Sequence, residues 1–238
     1  MSQRKHDAAF FKWDQVVSPE QMLVDLEREL SRQRSLERNR AFQQAMGTAE
    51  SADTSDIPTL LEIVRLGHPT LRDIAQPVPH QVLGTPVFRS FARSLLASMF
   101  EAEGVGLASP QIAVGLRCFA YYVPSMRDEQ AFEVAPRVLV NPTVSLGKEE
   151  VQDWEGCLSI PSLRGQVPRA HTIHVEGWDV EGQPVSFEAT GFHARVLQHE
   201  YDHLDGIVFL DRMTSTLSLA FEAEWQRYVL PRSREKEG

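Results

Sequence analysis

Hydrophobic and polar positions divide the chain into a polar N-terminal segment and a more apolar remainder. In residues 1–57 one short stripe of aliphatic side chains repeats at helical spacing, formed by Met22, Leu23, Leu26 and Leu30. Ser18 followed by proline is typical of a helix start and Gly47 of a helix end, which predicts a helix over about residues 18–46. We interpret residues 1–57 as an N-terminal extension, either a solvated helix docked at one end or an arm that binds a partner or a second copy of the chain.

From residue 58 the pattern becomes that of a folded domain, which we expect to span residues 58–238. Apolar residues at helical spacing predict three helices, at residues 94–103, 192–204 and 217–229. Short apolar runs bounded by turn residues predict four strands, at residues 118–123, 137–141, 173–180 and 185–189. Pro142 would end the second strand, and a hairpin would join the last two. Because helices and strands are segregated along the chain, the pattern favours an α+β fold.

Composition narrows the classes of protein to which the chain can belong. Its 33 acidic and 24 basic residues give a net charge of −9, which argues against a protein that grips nucleic acid through a broad basic face. No apolar run approaches the roughly 20 residues that span a bilayer, and the N-terminus lacks the apolar core of a signal peptide. Two cysteines cannot build a disulfide framework. We expect a cytoplasmic protein with no membrane and no specific nucleic-acid partner.

The most specific chemical pattern is H-E-Y-D-H at residues 199–203, inside a predicted helix. Residues four apart share one face of a helix, so the imidazoles of His199 and His203 can hold a single metal ion. Glu200, next to the first histidine, is placed to reach a water molecule on that metal. Apolar neighbours on both sides of the motif favour a buried helix over a surface one.

Two histidines do not complete a catalytic metal site, which usually takes three protein ligands. A downstream carboxylate, Asp205 or Asp211, is one candidate for the third ligand. Cys157, in the segment E-G-C-L-S, is the other, because a thiolate binds a transition metal more readily than a distant carboxylate does. Cys118 lies in an apolar strand and is expected to be a small core residue.

A third element is the loop G-V-G-L-A-S-P-Q at residues 104–111. The lysine of a phosphate-binding loop is missing, so the glycines are better explained by close approach of the backbone to an extended ligand. The amide of Gln111 can donate a hydrogen bond to a developing oxyanion.

Together the three segments resemble the signatures of the peptide deformylase family, G-x-G-L-A-A-x-Q, E-G-C-L-S and H-E-x-D-H. They stand here at residues 104–111, 155–159 and 199–203, in the family's order and with comparable spacing. The resemblance covers about residues 61–213, and Ser109 is the one departure within the motifs. It implies antiparallel sheets packed around a central helix that carries H-E-x-D-H, here with an N-terminal helical extension.

The resemblance also implies an activity and its residues. The enzyme would be a hydrolase of bacterial type that removes the N-formyl group from the initiator methionine of nascent polypeptides and releases formate. One divalent metal ion, generally Fe²⁺ with Zn²⁺, Ni²⁺ or Co²⁺ as substitutes, would be held by Cys157, His199 and His203. Glu200 would transfer the proton. The side-chain amide of Gln111 and the backbone N–H of Leu158 would stabilise the oxyanion.

Helical spacing suggests a pocket for the methionine side chain. Val196 and Phe192 lie three and seven residues before the first metal-binding histidine, and Val105 or Leu107 could form the opposite wall. Ordinary core packing explains these four positions equally well.

The peptide that follows methionine is expected to add as a strand to the backbone of Gly104, Val105 and Gly106. Arg164 or Arg195 could meet a downstream carbonyl, although a surface salt bridge is the simpler role for either.

Other functions remain open at this point. An H-E-x-x-H endopeptidase would use a carboxylate as its third ligand, and a catalytically silent relative would bind formylated peptides or a partner through residues 1–57. The expected partners are N-formylmethionyl nascent peptides, with transient ribosome association and a homodimer formed through the N-terminal helix as further possibilities.

Overall fold

A computed structural model of the protein describes residues 58, 60–124 and 134–230. The helix predicted over residues 18–46 lies outside the described residues. In the part of the chain that is described, no helix is both long enough and apolar enough to cross a membrane.

Two antiparallel sheets form the framework of the domain. The first contains β1 (Gly106–Ala108), β2 (Cys118–Val123), β3 (Val134–Leu146), β6 (Thr172–Trp178) and β7 (Pro184–Thr190). The second contains β4 (Glu150–Cys157), β5 (Ile160–Ala170) and β8 (Ala220–Phe221). The strand order is β1-β2-β3-β6-β7 in the first sheet and β4-β5-β8 in the second.

Four α-helices accompany the sheets in the described residues. They are α1 (Pro86–Glu101), α2 (Gly191–Leu204), α3 (Phe209–Arg212) and α4 (Glu222–Glu224), the last continued by a π-helical turn, Trp225–Val229. Short 3-10 turns occur at Pro69–Arg72, His80–Val82, Ser109–Ile112 and Thr216–Ser218.

Helix α1 begins earlier than the predicted range of residues 94–103. The side chain of Thr85 accepts a hydrogen bond from the backbone N–H of Phe88 at 3.3 Å, and Pro86 occupies the first helical position. A capping hydroxyl and a proline at this position favour helix initiation there. The buried face of α1 packs against β2 and β3 through Phe88, Phe91, Leu95 and Met99.

Strand β3 runs through a proline that we expected to end it. The prediction placed this strand at residues 137–141, closed by Pro142, whereas the structure continues it beyond the proline. The pairing with β6 shifts register between Val140 and Thr143, and Asn141 in this bulge has a φ of 46°. A β-bulge leaves one residue out of the hydrogen-bond ladder, so the strand can continue past a residue without an N–H.

The C-terminal helix predicted over residues 217–229 is wrong in its first part. Residues up to 218 form a 3-10 turn, and β8 then pairs with β5, aligning Leu163 with Phe221 and Arg164 with Ala220. Hydrogen bonding to the edge of β5 outweighs local helical spacing here, and helical structure begins at Glu222.

Helix α2 occupies the position expected of the central helix. Ten of its 14 residues are buried, and it contacts strands of both sheets. The α+β architecture predicted from the sequence is therefore confirmed, with the histidine motif at its centre.

Candidate active site

Helix α2 carries three ionisable side chains into the interior of the domain. The rings of His199 and His203 have centroids 5.1 Å apart, and Glu200 follows the first histidine. His199 is 9% exposed, Glu200 4% and His203 0%. Burial of ionisable groups is costly unless they are paired or bind a metal ion or substrate. Their positions therefore indicate a functional cluster.

The thiol of Cys157, at the end of β4, completes the cluster. Its Sγ lies 3.3 Å from Nε2 of His203, and the thiol and one nitrogen of each imidazole all lie within 4.8 Å of one another. Donor atoms around one tetrahedral metal ion are roughly 3 to 4 Å apart. Cys157, His199 and His203 therefore fit a single transition-metal ion.

The two downstream carboxylates are engaged elsewhere. Asp205 binds Arg117 at 2.7 Å, and Asp211 forms an ion pair with Arg72. Asp211 also accepts a hydrogen bond from the backbone N–H of Val208 at 2.8 Å. The geometry thus favours the cysteine over a downstream carboxylate as third ligand.

Glu155 contacts His199 at the Nδ1 atom of its ring. Its Oε2 lies 2.8 Å from Nδ1 of His199, and Nε and Nη2 of Arg169 donate to the same carboxylate at 2.9 and 3.0 Å. Burial alone would raise the pKa of Glu155, but the hydrogen bonds with His199 and Arg169 hold it well below its ordinary value. A carboxylate on Nδ1 leaves Nε2 of His199 as the ligand atom.

Arg195 adds hydrogen bonds that join α2 to the second sheet. It donates to Oε1 of Glu155 at 2.8 Å and to the carbonyls of Val167 and Val151 at 2.8 and 2.6 Å. We expected this arginine in a surface salt bridge or against a peptide carbonyl. The salt bridge is present, with Glu155, but the expected surface position is wrong, because the residue is 6% exposed. Its hydrogen bonds instead fasten the histidine helix to the β4–β5 hairpin that carries the cysteine.

Asp202, inside the histidine motif, belongs to the same buried network. It accepts hydrogen bonds from Arg169 at 2.5 Å and from Arg212 at 2.6 Å. The sequence patterns gave no role to Glu155 or Asp202, the two acidic residues of the network. For Arg195 one signal was available: it lies four residues before His199 and so shares the buried face of the helix.

Glu200 packs against the glycine backbone of β1. A Cβ atom at Gly106 would lie 2.2 Å from Oε1 of Glu200, so the carboxylate fills the space that a side chain would need. Its Oε2 is buried and accepts no hydrogen bond from the described residues. Burial raises the pKa of Glu200 to about 7, with His199 opposing and Glu155 adding to the shift. Such a carboxyl is suited to taking up and releasing a proton near neutral pH.

Gln111 lies beside the thiol with its amide fixed at both ends. Oε1 accepts a hydrogen bond from the backbone N–H of Ala108 at 2.7 Å, while Nε2 lies 3.5 Å from Sγ of Cys157 and 3.3 Å from Oγ of Ser159. The hydroxyl of Ser109, the departure from the family motif, lies 2.9 and 2.5 Å from the carbonyl oxygens of Val114 and Leu116, which share its single hydrogen. The serine therefore holds the loop that positions the amide.

The cluster opens into a cavity of about 510 Å³, which both sheets and α2 line. Six residues with predicted roles at the substrate line this cavity: Gly104, Val105, Gly106, Leu158, Phe192 and Val196. Leu107 is instead fully buried in the core that α1 forms with the first sheet. Alternate residues of a strand face opposite sides, and because Gly106 faces Glu200, Leu107 faces the core.

Trp154 and Glu222 also line the cavity, although the sequence patterns gave neither a role. They come from β4 and α4, far apart along the chain, and meet through the pairing of β8 with β5.

Comparisons of the sequence with known proteins agree with this geometry. The family model described as polypeptide deformylase matches residues 60–218. The chain is 42% identical over 174 residues to peptide deformylase 2 of Nostoc sp., which covers 72% of this chain and 96% of that protein. It is 40% identical over 161 residues to peptide deformylase 2 of Pseudomonas syringae pv. tomato, covering 67% of this chain and 90% of that one.

Solved structures give the same result for the fold. The Met-Ala-Ser-bound class I type b peptide deformylase of Acinetobacter baumannii superposes with a TM-score of 0.63 at 36% identity, covering 66% of this chain and 100% of that one. The peptide deformylase of Thermotoga maritima gives a TM-score of 0.58 at 30% identity, over 66% of this chain and 99% of that one. Helix α2, strand β4 and the loop at residues 104–111 thus occur in a domain of known type. The chain belongs to the polypeptide deformylase family.

Proposed function

We propose that the cavity is the site at which this protein removes the N-formyl group from nascent polypeptides, the reaction of its family. The observation that carries the proposal is the convergence of Cys157, His199 and His203 beside the buried carboxyl of Glu200. A thiolate, two imidazoles and an adjacent proton acceptor are the groups that metal-assisted amide hydrolysis needs.

Cys157, His199 and His203 would hold one divalent cation, and we propose Fe²⁺, with Zn²⁺, Ni²⁺ or Co²⁺ as substitutes. Two imidazoles and a thiolate suit all four ions, so the preference for iron rests on the family. When bound, such an ion polarises a carbonyl and lowers the pKa of a water molecule. Metal analysis of protein purified without oxygen tests the choice of ion, and stoichiometric zinc would contradict it.

Glu200 moves the proton of the reaction. It takes a proton from the attacking water and delivers it to the departing amine, so that the C–N bond of the formamide breaks and formate leaves. Its contact with the Gly106 backbone holds the carboxyl beside His199.

Gln111 and Leu158 stabilise the oxygen that becomes negative. The amide Nε2 of Gln111 is held next to Cys157 because Oε1 is fixed by the N–H of Ala108. The backbone N–H of Leu158, the residue after the cysteine, is the second donor. Donors fixed before the reaction stabilise the transition state without reorganising.

The substrate lies along the open edge of β1. Phe192 and Val196 form an apolar wall for the methionine side chain, and Val105 lies in the same cavity. Because β1 is an edge strand, its backbone at Gly106 is available to pair with an extended peptide of any sequence. Gly104 lies just before the strand, and its N–H is bonded to the carbonyl of Met99. A related enzyme has been crystallised with Met-Ala-Ser bound, which supports a peptide that begins with methionine as the ligand of this cavity.

Formate release from formyl-Met-Ala-Ser by the metal-loaded full chain tests the function. A deformylase yields formate and a free α-amine, an endopeptidase cuts an internal bond, and a silent relative yields neither. Cys157→Ala should lose metal and activity, whereas Cys118→Ala, in the core at 0% exposure, should keep both. A loaded wild-type protein that releases no formate would contradict the proposal.

The partners and the location are a separate proposal. We propose a cytoplasmic enzyme that meets nascent chains at the ribosome and pairs with a second copy through residues 18–46. Sedimentation of the full chain beside a variant lacking residues 1–57 tests the pairing, since equal sedimentation as a monomer would contradict it.

A further inference from the structure

The mouth of the cavity contains a segment beyond the family match. The match ends at residue 218, and β8 and α4 follow it directly. Pairing of β8 with β5 places Ala220 opposite Arg164, and the next residues bring Glu222 into the cavity wall. Part of the cavity wall therefore comes from residues that follow the family-model match.

Arg164 is held by two residues of this segment. Its Nη2 and Nε donate to Oε1 of Glu222 at 2.6 and 3.2 Å, and its guanidinium carbon lies 5.3 Å from the centroid of the Trp225 ring. The ring of Trp154 packs against Trp225 with centroids 5.8 Å apart. We call Arg164, Glu222 and Trp225 the Arg164 clamp.

The clamp places a cation over the strand that carries the metal-binding cysteine. A Cβ atom at Gly156 would lie 3.2 Å from the guanidinium carbon of Arg164, so the guanidinium rests on the Gly156 backbone, one residue before Cys157. The side chains of Arg164 and Glu222 remain 27% and 35% exposed, and both line the cavity. A peptide extending from the metal cluster toward the mouth would meet both charges.

We propose that Glu222 is a specificity-determining residue: it prevents the cavity from discriminating by charge among the residues that follow methionine. The inference rests on the proposed function, because it assumes a peptide in the cavity. Glu222 holds the Arg164 guanidinium over the Gly156 backbone and cancels its charge. A neutralised mouth accepts acidic and basic nascent chains alike, as a reaction common to many different polypeptides requires.

The test compares two peptides that differ in the charge of the third residue, formyl-Met-Ala-Glu amide and formyl-Met-Ala-Lys amide. Formyl-Met-Ala amide, which has no third side chain, serves as the reference substrate. The measured quantity is the ratio of kcat/KM for the acidic peptide to kcat/KM for the basic one. The wild type should give a ratio close to one.

Opposite substitutions should move this ratio in opposite directions. Glu222→Gln leaves an uncompensated cation and should raise the ratio by about three- to tenfold, whereas Arg164→Gln leaves an anion and should lower it by a similar factor. The double variant should return toward the wild-type ratio, and formyl-Met-Ala amide should be hydrolysed within about twofold by all of them. Glu181→Gln, which breaks an exposed Arg89–Glu181 pair of the same chemistry outside the cavity lining, should change nothing.

An unchanged ratio, or a shift of the same sign in both single variants, would overturn the proposal. A loss of activity on formyl-Met-Ala amide as large as on the longer peptides would also overturn it, because it would show a merely structural role. If the wild type hydrolyses none of the three substrates, the proposed function itself fails, and this outcome is distinct from the others.

Discussion

Oε2 of Glu155 lies 2.8 Å from Nδ1 of His199, so a residue of the cysteine strand directly orients a histidine of the motif helix. The contact joins two segments that are 44 positions apart in the chain. Since Arg169 and Arg195 bind the same carboxylate, one buried charged network holds strand β4, with Cys157, in register with helix α2, with His199 and His203. Groups of this kind fix the ring orientation and basicity of a metal-binding histidine.

Replacing Glu155 with Gln should weaken metal binding by about 10- to 100-fold. The amide keeps the shape of the side chain but removes the charge that stabilises both arginines and fixes the histidine tautomer. Competition with a chelator measures the change directly. Glu150→Gln, at an exposed position of the same strand, is the matched control and should bind metal as the wild type does. Equal metal affinity in the two variants would show that the contact does not tune the site.

Arg195→Met should destabilise the fold by about 3 kcal/mol, because it leaves the buried carboxylate of Glu155 and the buried carbonyl of Val167 short of a donor. Urea unfolding of the metal-free protein measures this loss without a contribution from the ion. Arg89→Met removes an exposed arginine of an ion pair and should leave the midpoint unchanged. Similar midpoints for both variants would mean that the buried network is not what joins α2 to the second sheet.

Gly106→Ala should lower kcat by about 100-fold while metal content stays at the wild-type level. The new methyl group would lie 2.2 Å from Oε1 and 2.6 Å from the carboxyl carbon of Glu200, which is buried and has little room to move. At Gly104 the same change meets Cδ1 of Leu158 at 2.7 Å, the end of a flexible side chain. Gly104→Ala should therefore cost less, and the reverse order in kcat would contradict this explanation.

Local signals account for the parts of the site that the sequence located. The spacing of His199 and His203 fixes their common helix face, and the motif around Cys157 identifies the cysteine before any contact is known. The same local reasoning misplaced Leu107, because the pocket assignment ignored the alternation of a strand that also contains Gly106.

Contacts between distant segments were beyond reach of the sequence. A helix was predicted from residue 217, but the structure has strand β8 at residues 220–221. The open edge of β5 supplies hydrogen bonds to this strand that local spacing cannot reveal. Arg195 was interpreted as a surface residue because a charged side chain is rarely buried unless paired. Its acceptors lie on another element, so its burial depends on the tertiary fold.

Glu200→Gln should lower kcat by about 100- to 10,000-fold and leave metal content unchanged. The amide cannot accept the proton, yet it occupies the same volume beside Gly106. Because Oε2 of Glu200 is buried and accepts no hydrogen bond from the described residues, loss of the carboxyl should not lower the melting temperature. Loss of metal together with activity would instead assign Glu200 a role in holding the ion.

His193 provides a prediction for stability that is independent of the metal cluster. Its ring is stacked between Phe187, at 5.7 Å and 7°, and Tyr121, at 5.7 Å and 22°. Burial, with a smaller contribution from the charge of Arg137, lowers its pKa from 6.5 to about 4. The folded protein therefore keeps this ring neutral at a pH where the unfolded chain would bind a proton.

The unfolded state binds more protons than the folded state between these two pKa values, so stability is full above pH 6.5 and falls as the pH approaches 4. His193→Phe removes the titration and keeps an aromatic ring in the stack. The unfolding free energy is measured in urea at pH 7.5 and at pH 5. The drop between these two pH values should be about 1 to 2 kcal/mol smaller in His193→Phe than in the wild type, after allowance for partial exposure of the ring. His193→Gln should show the same reduced pH dependence but lower stability at both pH values, because it loses the stacking. If both variants lose as much stability as the wild type on acidification, His193 is not the group that titrates.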